Sequence, residues 1–139
     1  MSLDALRAFR KRFFTKPRPS GRYFLADATV SDVTRALGTQ SFAPNWEYSY
    51  NYRGEDVNLA RVVYEEHRGV EWWQTHVRGW IADDGVELSA HWEPEPTEHP
   101  SMHLSGDACT VTRGEEELRA ALDAIEYMEF IWDETRSLG

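Results

Sequence analysis

The side chains best suited to chemistry in this sequence are His76, Arg78, His91 and Glu93. Imidazole titrates near neutrality, a guanidinium holds an oxyanion in a fork of N–H donors, and a carboxylate moves protons or takes a cation, so the four together suit acid–base or hydrolytic work. A second set, His91, His99 and His103 with Glu93, Glu98 and Asp107 nearby, has the donor types that hold zinc and related divalent ions. The stretch His99-Pro-Ser-Met-His103 lacks the glutamate of the helical HExxH pattern, so its spacing alone specifies no metal. Cys109 is the sole cysteine and has no adjacent base. With no G-x-S-x-G elbow and no glycine-rich phosphate loop, nucleophilic and nucleotide-dependent mechanisms find no support.

Positioning these groups requires a sheet. Trp46, Tyr48, Tyr50 and Tyr52 alternate with Glu47, Ser49, Asn51 and Arg53, the period of a half-buried strand. Three turn signals follow: Gly54-Glu55 as a two-residue turn, His67-Arg68-Gly69 as a three-residue loop, and Asp84-Gly85 as a type I′ pair. The registers these turns impose set Tyr50 against Leu59, Leu59 against Val77, and Val77 against Trp92. The three turns thus agree on one apolar face, and a one-residue slip at any of them would break the agreement. The expectation is an α+β domain built on an antiparallel four-strand meander over residues 46–93, one face covered by helices, with extra edge strands at 22–26 and 108–111.

The reverse face of that meander carries the chemistry. The same registers put Asn51, Asn58, Arg78 and His91 in one row, and Ser49, Ala60, His76 and Glu93 in the next. Tyr64, Trp72 and Trp80 share the face, with Tyr64 opposite Trp72. Polar groups on such a face are ordinarily just its solvated side. Aromatic residues among them are what binding surfaces add, so Asn51, Asn58, Tyr64, Trp72 and Trp80 are the candidate ligand-binding set.

A helix is expected at 3–14, from Leu3, Leu6, Phe9 and Phe13, and a second one between Thr29 as N-cap and Gly38 as the stop, with Val30, Val33 and Leu37 as its apolar residues. A last helix is expected over 114–134, opened by a Thr112/Glu115 capping box. Its second half, Glu126 to Trp132, is aromatic enough to suit a strand instead. The run Glu93 to Pro100 is too proline-rich for a central strand.

At 139 residues and 41% apolar content the chain fits one domain, 1–139. The formal charge is −9, and it is uneven: residues 1–22 hold seven basic side chains against Asp4, a formal +6, leaving −15 on the rest. Nucleic-acid binding is therefore disfavoured except through the basic N-terminal segment 1–16. The acidic stretch 114–134 is an equally good counter-surface for that segment. No apolar run reaches the length of a membrane span, and with a lone cysteine the expected setting is cytoplasmic. These features imply a small interaction or ligand-binding domain, contacting a protein partner or a second copy through the sheet face and the N-terminal helix. The alternative is a hydrolase or nuclease-like enzyme using the His/Arg/Glu cluster, with a divalent metal as its cofactor.

Overall fold

The computed structural model describes residue 5 and residues 23–45, 53–106, 108–125 and 130–133. Its elements are β1 (Tyr23–Ala26), α1 (Val30–Gly38), β2 (Ala43–Pro44), β3 (Val57–His67), β4 (Val70–Ala82), β5 (Gly85–Pro94), α2 (Pro100–Ser105), α3 (Val111–Asp123) and β6 (Phe130–Asp133). Among the described residues the strands form one sheet in the order β2-β3-β4-β5-β1-β6, with every pairing antiparallel. The α+β class and the antiparallel meander with helices are as expected.

Alternation decides the faces. Val57, Leu59, Val77, Val86, Leu88 and Ala90 turn to one side, where they join Val33, Ala36 and Leu37 of α1 and Leu118, Ala121 and Leu122 of α3 in the main core. The α3 residues recur at helical spacing, which is why this helix buries a stripe and leaves its glutamates outside. Thr29 caps α1 as the sequence suggests, its Oγ1 accepting from the Asp32 N–H at 3.2 Å. Gly114 lets α3 lie directly on β5, because a Cβ there would overlap the backbone of His91.

The middle hairpin has the expected register, with Asn58 against Arg78, Leu59 against Val77 and Tyr64 against Trp72. Its loop is tighter than expected. Arg68 and Gly69 both have positive φ, 54° and 77°, so they form a two-residue turn, and a register shift between Tyr64 and His67 absorbs the extra residue. The last hairpin differs by two residues: Ala82 pairs with Gly85, placing Val77 against Ala90 and His76 against His91. Gly85 is required by β1 instead of by the turn, since at φ 144° a Cβ would run into the Ala26 carbonyl. An even shift keeps every side chain on its expected face and changes only the rows.

The outer edge of β3 corrects the first hairpin. Leu59 pairs with Pro44, not Tyr50, and Ala60 with Ala43. The ladder continues one residue further through the Asn45 N–H to the Asn58 carbonyl at 3.0 Å. The proposed strand 46–53 falls outside the described residues except for Arg53, as does the basic segment 1–16 except for Ala5.

Three further expectations change. The strand expected at 22–26 is present as Tyr23–Ala26 but is interior, between β5 and β6. At 108–111 there is only an isolated bridge of Thr110 to Trp92, because α3 already begins at Val111 with Thr110 in its cap position. Thr112 therefore lies inside the helix and caps nothing. The helix expected over 114–134 stops at Asp123, and Phe130–Asp133 pairs with β1 as a strand. The aromatic content of that segment suits a pleated surface better than a helix end.

Candidate functional site

The reverse face of the sheet is a second, polar interior. Asn58, Gln74, His76, Glu87 and Glu93 are all buried there, where a merely solvated sheet face would expose them. Buried polar groups of this kind are held by one another.

Glu93 is the centre of the cluster. Its Oε1 accepts from Gln74 Nε2 at 2.7 Å and lies 3.2 Å from His76 Nδ1. Its Oε2 lies 2.9 Å from His91 Nε2 and 3.6 Å from His103 Nδ1. The His76 and His91 rings meet edge to face at 4.8 Å. Pairing of β4 with β5 explains this: His76 is directly opposite His91, and Gln74 is opposite Glu93, so the four form two adjacent rungs on one face. On its other side, His76 Nε2 is 2.6 Å from Asn58 Oδ1 and 3.0 Å from Asn45 Nδ2. Ala60, opposite His76 in β3, has only a methyl group there and leaves space for both amides.

Burial is the largest influence on the His76 imidazole, pushing it down to about 3. The hydrogen bond to Glu93 opposes this and does not overcome it, while the charges of Arg78 and His91 push the same way as burial. For Glu93, burial alone would raise the carboxyl, but hydrogen bonds with His76 and His91 outweigh it and hold the group well below the usual carboxylate range. Near neutral pH the site therefore pairs a neutral His76 with an ionised Glu93.

Acid lability follows. The unfolded chain protonates His76 near 6.5 and the folded chain only near 3, so between those values the unfolded state binds more protons and stability rises with pH. That stabilisation is complete above about 6.5. Glu93 adds a contribution that is present above its unfolded value of about 4.3 and lost below it. Thermal melts in chelator are expected to show the midpoint already falling between pH 7 and pH 5, with the slope flattened in His76→Gln. A flat midpoint over that interval would contradict a buried neutral His76.

Arg78 stands one rung away, pairing with Asn58 and Ser89 across the sheet. Its Nε lies 3.1 Å from Oε2 of Glu55, a carboxylate with no solvent exposure. It neutralises a buried acid and does not enter the Glu93 cluster by hydrogen bond. Trp80 is buried at 4% exposure, edge-on to Tyr23, with Nε1 donating to the Arg53 carbonyl at 3.0 Å. Tyr64 is 58% exposed and packs edge-on against Trp72 at 5.1 Å, so these two alone of the aromatic set face the surface. Asn51 lies outside the described residues.

The three candidate metal histidines divide. His91 and His103 both reach Glu93, while His99 turns to β4, where its Nε2 accepts from the Trp72 N–H at 3.2 Å. His103 comes from α2, a six-residue helix between Pro100 and the left-handed Gly106, and its Nδ1 donates to the Pro94 carbonyl at 3.0 Å. The Cys109 thiol is pushed up, first by burial and then by the Glu93 charge, which argues against a thiolate nucleophile.

Reading the sequence missed Gln74, Asn45 and Glu55. Gln74 was within reach, since it alternates in phase with Trp72, His76 and Arg78. Asn45 was not, because it joins the site only through pairing of β2 with β3.

Among the described residues no helix is long and apolar enough to cross a membrane. Comparison with protein-family models, with curated proteins and with solved structures finds no match for this chain.

Proposed function

We propose that this domain binds a divalent transition-metal ion, with zinc the best fit to the donors, through His76, His91 and Glu93. The observation that carries the reading is the convergence of one ligand atom from each residue, all within 4.8 Å of one another. Ligands bonded at about 2.0–2.2 Å to a tetrahedral ion stand about 3.4 Å apart. Glu93 already lies 3.2 Å from His76 through Oε1 and 2.9 Å from His91 through Oε2. A neutral imidazole beside an ionised carboxylate is also the protonation state that metal binding needs.

Two histidines and a glutamate leave one position of a tetrahedral ion for water, the ligand number of hydrolytic zinc sites. Solvent reaches the cluster at the partly exposed His91 and His103, which supports hydrolytic use over a closed structural site. Calorimetric titration of protein purified without a histidine tag is the test. It is expected to give one zinc per chain, an affinity unchanged by His99→Ala, and a loss of about 100-fold in His91→Ala. Absence of zinc binding, or equal binding by His91→Ala, would sink the proposal.

A further inference from the structure

We infer that Asn45 and Asn58 are positioning residues that select the tautomer of His76, and that they act on metal affinity in opposite directions. The inference rests on the metal reading above and concerns how the apo and loaded states of that site are balanced.

The geometry at Nε2 is the starting point. A neutral imidazole carries one N–H, yet Nε2 has an acceptor, Asn58 Oδ1, at 2.6 Å and a donor, Asn45 Nδ2, at 3.0 Å. Each amide therefore suits a different ring. With the proton on Nδ1, the ring donates to Glu93 Oε1 at 3.2 Å and Nε2 accepts from Asn45. Asn58 Oδ1 then faces a lone pair at close range, which is unfavourable. With the proton on Nε2, the ring donates to Asn58, and the lone pair of Nδ1 confronts the carboxylate of Glu93. Two acceptors at that distance repel unless a cation lies between them.

The first arrangement belongs to the metal-free protein and the second to the metal-bound one. A metal-ligating histidine commonly donates its other ring N–H to an oxygen acceptor, and Asn58 occupies that place. The ring proton lost from Nδ1 is matched by one gained at Nε2, both by exchange with water, so His76 undergoes no net change in charge. Asn45 stabilises the apo ring and so competes with the metal, whereas Asn58 supports it. Their arrangement is built into the fold. The Asn45 N–H donates to the Asn58 carbonyl, so strand pairing sets the two amides side by side, and Asn58 is wholly buried.

The experiment is zinc titration of the full chain together with long-range ¹H–¹⁵N correlation of the His76 ring. Asn58→Ala is expected to lower zinc affinity about 10-fold to 100-fold, and Asn45→Ala to raise it several-fold. Asn58→Asp, which keeps the shape and strengthens the acceptor, should also raise it. The His76 signals should report Nδ1–H without metal and Nε2–H with zinc. A purely structural role would lower affinity in both alanine variants and leave the tautomer unchanged, and either result would overturn the inference. Wild-type zinc binding with unaltered affinity in Asn45→Ala and Asn58→Asp would overturn it while sparing the metal site. A wild-type chain that takes up no zinc would overturn both.

Discussion

Glu55→Ala should destabilise the fold by about 3–5 kcal/mol, the usual cost of stripping one partner from a buried ion pair. Glu55 has no solvent exposure and faces Arg78 at 3.1 Å, and the Arg78 side chain is itself largely buried. Burial already disfavours the charged form of Arg78, with the Glu55 charge the main opposing influence. Removing Glu55 leaves that guanidinium in a poor dielectric with little to balance it. The carboxylate also accepts from the Arg53 N–H at 3.3 Å, in the segment whose carbonyl receives the Trp80 indole. Loss of Glu55 thus loosens residues 53–56, which are hydrogen-bonded to β4 at Gly79, Trp80 and Ile81. Urea unfolding of Glu55→Ala and of Glu55→Ala/Arg78→Met tests this: the double variant should recover much of the loss. A single variant within about 1 kcal/mol of wild type would show that the pair carries no such weight.

The second large effect is expected for Glu93→Gln. The substitution keeps volume but replaces one acceptor oxygen with an NH₂ group. Gln74, His76 and His91 converge on the two oxygens of Glu93, so one ring or amide would then face a donor. A buried group left unsatisfied costs about 1–3 kcal/mol, and Glu93→Gln should fall within that range by urea unfolding. Its zinc affinity should fall by at least about 100-fold, since an amide is a poor substitute for an anionic ligand. Affinity equal to wild type would remove Glu93 from the proposed ligand set.

Alternation of apolar and polar residues made the faces of the sheet legible, and with them the joint placement of Asn58, His76, Arg78, His91 and Glu93. Rows were less legible because they depend on turn length. Asp84-Gly85 has the composition of a two-residue turn, but packing against Ala26 claims Gly85 for the strand. The resulting shift of two brings His91, not Glu93, opposite His76. That change assembles the cluster, because Glu93 then sits diagonally between both rings. The expected pairing of Leu59 with Tyr50 fails for a related reason. Alternation around Trp46 to Tyr52 states a face but not a partner, and β3 takes residues 43–45 at its outer edge. Nonlocal pairing of that kind leaves no short-range mark, so Asn45 could enter the site only through the folded structure. The burial of the polar face was illegible too, since the same residues on an open sheet would simply be solvated.

The central claim is that one ion is held between β4 and β5. Anomalous diffraction at the zinc edge from zinc-soaked crystals tests it most directly. The expected result is a single strong peak about 2.0–2.2 Å from His76 Nδ1, His91 Nε2 and a carboxylate oxygen of Glu93. A cluster without a peak, or zinc bound only at the His99 and His103 rim, would contradict it.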